Sequence, residues 1–355
     1  MGAWVLTVGK QTAATIGIVT ETSPAGSPPA PAASAVVVAS THARHVSEIT
    51  DVGDGVPDLL TLPAGARVSY RITQRFRYVY DGPASDLVHR LVVVPPRRHG
   101  DQTVRADRLT VSAPGARVGW GRGADGTRVA TVRLAEVPSQ LDLDVDVRLD
   151  RVRGGARPWL RATALTGRRL LAPTVLTAPD AALSAAARAL ATGDPMLTAR
   201  RFCGWVHSHV RYEPGSTDVT TTAAQALAGG AGVCQDQAHV MLALCRAAGM
   251  PARYVSGHLV GDGPSHAWVE VIMLAGAGDR EPGVVAVAFD PCHDRLADLR
   301  YVTVAVGRDY ADVAPTSGVY RGLGRGTLHA EQRVAVVGVD ALGDRAAREA
   351  SAHSL

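Results

Sequence analysis

No stretch of this sequence approaches the ~18 consecutive apolar residues that a membrane-spanning helix requires, so a spanning segment is excluded. Like charges never gather into a block. The net charge of +4 is carried by scattered arginines, which gives no arm for nucleic acid. Cysteine is scarce: Cys203, Cys234, Cys245 and Cys292 form no CxxC pair, which excludes a disulfide framework or a compact zinc knuckle and fits reduced thiols. The opening "MGAWVLTVGK" has neither a basic n-region nor a continuous apolar h-region, so the expected location is the cytoplasm. No DxDxDG loop or acidic cluster points to calcium. Neither a cofactor nor a metal is therefore expected, and nothing in the composition sets an oligomeric state.

What remains is a chain of 355 residues, 46% apolar and 20% charged, long enough for two domains with ordinary cores. Residues 1–65 are rich in Ala, Pro, Ser and Thr, show neither period 2 nor period 3.6, and are expected to be a disordered extension. From "RVSYRITQRFRYVY" the alternation is clear, with Val68, Tyr70, Ile72, Phe76, Tyr78 and Tyr80 on one face and Arg67, Arg71, Arg75 and Arg77 on the other. "QLDLDVDVRLDRV" alternates in the same way. Residues 66–160 are expected to form an all-β, sandwich-like domain.

The texture then changes to helices, "DAALSAAARALATG" and "DPMLTARRFCGWVHSHV", the second opening with Asp194 as N-cap and Pro195 in the first turn. A short helix near "TTAAQALAGG", a helix from Cys234, and the strands "ARYVSGHLV", "SHAWVEVIML", "GVVAVAFD" and "RYVTVAV" follow. Helices first and strands afterwards predict an α+β domain with an antiparallel sheet over residues 161–340, before a flexible tail at 341–355.

Cys234 stands between "GGAG" and a helix whose stripe Ala238, Met241, Leu242, Cys245 and Ala248 must face the core. Gly229, Gly230 and Gly232 permit a tight turn before it. Free amides and the positive dipole end at such a site favour a thiolate and can receive an oxyanion. A thiolate also needs a proton acceptor and a group to orient that acceptor. His266 opens the strand "HAWVEV" and Asp290 ends "VVAVAFD", 32 and 24 residues on in turn, so neighbouring antiparallel strands can carry both to the cysteine.

The stretches "YEPGSTDVTTTAAQAL", "GVCQDQAHVMLALCRAAGMPARYVSGHL", "HAWVEV", "FDP" and "VAVGRDYADVAPTSGVYRG" resemble the bacterial branch of the transglutaminase-like superfamily, whose members share a papain-like fold. The resemblance runs from about residue 200 to 325, and the preceding β region resembles that branch's N-terminal domain. It implies a Cys, His, Asp triad at Cys234, His266 and Asp290. Two departures concern the pocket wall and not the triad: Cys292 and His293 stand where the family often has an asparagine or similar polar residue after "DPT", and an aromatic residue common in the strand before the Asp is replaced in "VVAVAFD".

Around this centre Tyr212, Gln235 and Trp268 are candidates for substrate or oxyanion contacts, with shielding of the imidazole or packing the favoured role of Trp268. The dipole alone accounts for Asp236, a structural hydrogen bond for His239, core packing for Cys203 and Cys245, and a buried ion pair to Asp309 or Asp312 for Arg308. Cys292 beside the site could pair oxidatively with Cys234. The function expected is thiol acyl transfer on peptide or protein amides, as cysteine protease, amidase or transglutaminase, with hydrolysis favoured. The alternatives are a catalytically silent scaffold that keeps the fold, and a zinc site drawn from Cys234, His239, His266, Cys292 and His293, whose dispersion counts against it.

Overall fold

The computed structural model describes, with their side chains, residues 58–123, 125–276, 283–322 and 324–340. The extension expected to be disordered over residues 1–65 instead carries strands at Ala3–Gly9, Ala14–Thr20 and Ala35–Thr41, the first paired antiparallel with Thr316–Gly322; the rest of it up to residue 57, like the tail expected at 341–355, lies outside the described residues. Leu59 and Leu62 are already buried in the first core, ahead of the boundary expected at residue 66.

From residue 67 six long strands follow: β1 (Arg67–Tyr80), β2 (Ala84–Leu91), β3 (Gln102–Val111), β4 (Arg117–Arg122), β5 (Arg128–Val137) and β6 (Gln140–Val152). In β1 and β6 the apolar positions are buried and the charged ones outside, as period 2 dictates. Register Arg77↔Asp142 and Arg75↔Asp144 sets charges opposite each other, and these form ion pairs of 2.8 and 2.7 Å. Gln74 points inward with the apolar residues because its amide donates to the Val93 carbonyl at 2.8 Å.

Four helices follow: α1 (Ala181–Leu190), α2 (Pro195–His209), α3 (Ala223–Gly229) and α4 (Cys234–Ala247). Asp194 caps α2 as its sequence predicts, accepting from the Met196 amide at 2.8 Å. Strands β7 (Ala252–Leu259), β8 (His266–Leu274), β9 (Val284–Asp290) and β10 (Tyr301–Gly307) then form an antiparallel sheet in the order β9-β8-β7-β10. Its one face packs Ala267, Val269, Val271, Val285 and Val287 against the helices.

The last two strands, β11 (Thr316–Gly322) and β12 (Gly326–Asp340), depart from the sequence reading, which placed them in the catalytic domain. β11 pairs with β2, and β12 pairs with β1 along nearly its whole length, from Gly326↔Tyr80 to Asp340↔Arg67. The chain thus returns to complete the two sheets ahead of the helices, whose inner faces share one core. That β region is tied to the back of the second sheet: Gln102 exchanges two hydrogen bonds with the Thr303 backbone, at 2.8 and 3.0 Å, and Tyr70 donates to the Leu299 carbonyl at 2.7 Å.

Candidate active site

The turn into α4 is held by close backbone approach. Gly230 ends α3 with φ of 62°, and a Cβ at Gly232 would lie 2.7 Å from the Cβ of Asp236. Asp236 does more than complement the helix dipole. Fully buried, its Oδ2 accepts the Val233 amide at 2.8 Å and the Thr217 hydroxyl at 2.6 Å, pinning the loop that precedes Cys234. Helix α4 is buried on every side from Cys234 to Arg246, not along one stripe alone. Its polar residues are accommodated individually: Gln237 donates to the Val210 carbonyl at 2.7 Å, and His239 Nε2 accepts the Tyr310 amide at 3.2 Å. His239 therefore has the structural role expected of it.

Cys234 is 5% exposed at the first position of this helix. His266, first in β8, hydrogen-bonds through Nε2 to Oδ2 of Asp290, last in β9, at 2.8 Å. The Cys234 sulfur also acts electrostatically on the His266 ring, and since Nε2 faces the carboxylate, Nδ1 is the nitrogen left for the sulfur. The structure thus brings the three side chains into one contiguous chain. Burial opposes charge on His266, but the Asp290 carboxylate and the Cys234 sulfur outweigh it and raise the imidazole to about 10. Burial likewise opposes charge on Asp290, and His266 with His293 overrides it, holding the carboxyl far below its usual range.

Asp290 has more partners than its sequence position shows. Its Oδ2 also receives His293 Nδ1 at 2.6 Å and the Tyr301 hydroxyl at 2.7 Å, and its Oδ1 accepts the Cys292 amide at 2.8 Å. Arg295 Nε donates in turn to the Tyr301 oxygen at 2.9 Å. Burial, with Asp290 beside it, keeps the Tyr301 phenol protonated as a donor. Tyr301 went unnoticed in the sequence because "RYVTVAV" reads only as a strand. His293 stood out there merely as a departure from the family pattern.

Trp268 lies on the same strand face as His266, with ring centroids 6.0 Å apart, and meets Tyr301 edge to face at 5.4 Å. It is buried against the imidazole. Behind it a cavity of about 570 Å³ opens between the β region and the sheet, walled by Trp268, Tyr301, Glu270 and Gln102. Gln235 departs from the expectation of a residue at the mouth. It is 2% exposed, its amide nitrogen reaches the Val219 carbonyl at 3.4 Å, and its Oε1 has no partner. Tyr212 is half-buried, on a two-residue strand whose register Tyr212↔Gly232 sets its backbone beside the turn before Cys234.

All four cysteines are free thiols, and Cys203 and Cys245 are core residues as expected. Burial pushes Cys245 up to about 12, and raises the half-buried Cys292 with the Cys234 sulfur and Asp290 adding to it. Arg308 pairs with Asp312 at 3.1 Å, but on a partly exposed surface and not in the interior. Of the groups considered as zinc ligands, His239 is turned away toward Tyr310. The ligand atoms of His266, Asp290 and His293 lie within 4.8 Å of one another, yet both imidazoles meet a single carboxylate oxygen at hydrogen-bond distance, a geometry of shared protons. Among the described residues no helix is long and apolar enough to cross a membrane.

Residues 184–288 match the Transglutaminase-like superfamily, and residues 70–150 match the Bacterial transglutaminase-like N-terminal region. The Mycobacterium leprae protein ML0607 is 30% identical over 273 residues, spanning 72% of this chain and 94% of its own. The Mycobacterium tuberculosis protein Rv2569c is 30% identical over 288 residues, spanning 73% of this chain and 90% of its own. A solved structure from Cytophaga hutchinsonii, of a protein proposed to be a cysteine protease, superposes with a TM-score of 0.62 over 77% of this chain and 92% of that one. Its identity is 23%, so the likeness is one of fold.

Proposed function

Because the chain belongs to the transglutaminase-like superfamily, with the bacterial N-terminal region ahead of its core, we propose that it is a thiol acyl-transfer enzyme that hydrolyses peptide or protein amides. The observation that supports this reading is the buried His266–Asp290 hydrogen bond of 2.8 Å, with the Cys234 sulfur close enough to His266 to raise it. In the same reading the two facing sheets ahead of the helices are a β-sandwich, and the helices with the second sheet are a papain-like α+β unit.

The proton of the Cys234 thiol passes to Nδ1 of His266, giving a thiolate beside an imidazolium whose positive charge Asp290 balances. The sulfur attacks the amide carbon, the carbonyl oxygen takes the negative charge, and free amides at the start of α4 are placed to receive it. As the C–N bond breaks, the imidazolium gives its proton to the leaving amine. Water, deprotonated by the now neutral His266, then attacks the thioester and releases the acid and the thiol. A nucleophile residue only 5% exposed favours water over a bulky amine as acceptor, which supports hydrolysis over transamidation.

The test is alkylation with iodoacetamide at pH 6 and pH 8. An unassisted thiol of ordinary pKa ~8.5 would slow by about 80-fold at the lower pH. Cys234 is expected to keep most of its rate, and H266A to lose it. Slow labelling of Cys234 with that ordinary pH dependence would refute the reading and favour a silent scaffold. Peptides incubated with the protein and read by mass spectrometry then separate cleavage and deamidation from crosslinking.

A further inference from the structure

Asp290 is surrounded more closely than the steering of one imidazole requires. Its Oδ2 meets His266 Nε2 at 2.8 Å and His293 Nδ1 at 2.6 Å, so two histidines divide one carboxylate oxygen. They differ in access. His266 has 10% of its side chain exposed and faces the thiol, whereas His293 has 25% exposed and sits in the turn that its own amide closes onto the Asp290 carbonyl at 3.3 Å. The two ring centroids are 5.2 Å apart.

We propose that His293 is a positioning residue for the Cys234–His266 pair: it shares the Asp290 carboxylate with His266, so its protonation state sets how firmly the imidazolium is held beside the sulfur. This rests on the reading of Cys234 as nucleophile. While His293 is neutral, its Nδ1–H only donates to Oδ2, and the full negative charge of the carboxylate remains for the imidazolium of His266. When His293 takes a proton from solvent at Nε2, two cations face one carboxylate. The imidazolium of His266 then loses part of its balance and is repelled across the gap between the rings, and the thiolate it supports loses stability with it. Acid therefore weakens the nucleophile through an additional step that Cys234 and His266 alone do not have.

The other groups that face this arrangement do not offer the same switch. Tyr301, from β10, and the Cys292 amide donate to Asp290 without carrying charge, while Arg295 reaches only the Tyr301 oxygen. His258, from β7, is buried and neutral near His266, because burial and His266 itself lower it to about 4. From α2, His207 contacts the Cys292 carbonyl at 3.1 Å, and Asp294 lies against Gly204 and Cys203. Among the described residues that touch Asp290, His293 alone combines an ionisable side chain with a quarter of its surface open to solvent.

The rate of iodoacetamide alkylation at Cys234, followed by mass spectrometry from pH 4.5 to 8.5, tests this in the wild type, H293N and H293A, with H266A as reference. In H293N the Asn amide can still donate from near the Nδ1 position but cannot titrate. The wild-type profile is expected to fall through one protonation more than that of H293N, whose rate at pH 7.5 should stay within about threefold of wild type. H293A, lacking the donor, should lose on the order of tenfold at that pH. An H293N profile superimposable on wild type, while H266A still abolishes fast labelling, overturns this inference and leaves the proposed function standing. Loss of selective labelling in the wild type itself overturns both. Melting curves of the two His293 variants separate a fold defect from a change in the profile.

Discussion

A Cβ added to Gly257 would lie 2.3 Å from Cη2 of Trp268 and 2.2 Å from the Val302 carbonyl oxygen. The glycine is also the register partner of His266 across β7 and β8. The indole that covers the imidazole thus depends on a missing methyl group in the adjacent strand. Gly257→Ala is expected to displace Trp268 or spread the strands, costing about 2 to 3 kcal/mol by overpacking. Labelling of Cys234 at pH 6 should fall alongside the melting temperature. A variant that melts like wild type and labels at the same rate would show that Trp268 yields without consequence.

Y301F removes one of three donors on Oδ2 of Asp290 and leaves Arg295 Nε without its acceptor, with little change of shape. The loss is expected to be about 1.5 to 3 kcal/mol in denaturant unfolding, the usual range for a hydrogen bond to a charged group. The carboxyl of Asp290 should become easier to protonate, because fewer donors hold its charged form. D290N is a harsher change. By analogy with other triads it should lower turnover by on the order of a thousandfold or more, since the amide can no longer stabilise an imidazolium. Equal rates for D290N and wild type on any cleaved peptide would remove Asp290 from the mechanism.

Acid stability should turn on two buried, neutral histidines. His89 is completely buried in the first core, its ring 4.5 Å from that of Tyr78, and neither nitrogen has a partner, so burial lowers it to about 4. Because the folded value lies below the unfolded ~6.5, protons bind the unfolded chain first. This histidine therefore costs nothing above pH 6.5 and removes stability progressively as the pH falls toward 4, by on the order of 3 kcal/mol. His258, lowered to about 4 by burial and by His266, acts in the same direction. His89→Leu should keep its stability at pH 7 and lose distinctly less than wild type at pH 4.5. Parallel losses in both proteins would mean that His89 finds a partner or water on protonation.

Much of the arrangement was legible in the sequence. Alternation in "RVSYRITQRFRYVY" and "QLDLDVDVRLDRV" marks which side chains are buried, because strand geometry turns a period into a face. The spacing of His266 and Asp290 pointed to neighbouring strand ends, and the two meet at 2.8 Å because the start of β8 and the end of β9 lie side by side in one sheet. What escaped was tertiary. Period 2 does not name a strand's partner, so β12 offered no sign that it returns to β1. The outward-reading polar face of α4 is enclosed because α1, α2 and α3 and the sheet cover it from all sides. The contacts of Tyr301 and His293 with Asp290 arise only when β9, its following turn and β10 close around the carboxylate.

The boundaries of the folding unit follow from the same pairings. Leu59 and Leu62 are 2% and 9% exposed within the first core, so a chain of residues 66–340 lacks two buried leucines that a chain of 58–340 retains. At about 1.5 to 3 kcal/mol for each side chain, the shorter chain should be less stable by about 3 kcal/mol or more, and should melt roughly 6 °C lower. Ending the chain at residue 315 should be worse. It removes β11 and β12, leaves β1 and β2 with unpaired edges in both sheets, and uncovers core residues from Tyr70 to Tyr80, so that chain is expected to aggregate. Cys234 and its partners are intact in all three chains. If the chain ending at 315 melts and labels like 58–340, the strands that return from the C-terminal side are not part of the cooperative unit, and the core from 161 to 315 would have to fold on its own helices and sheet.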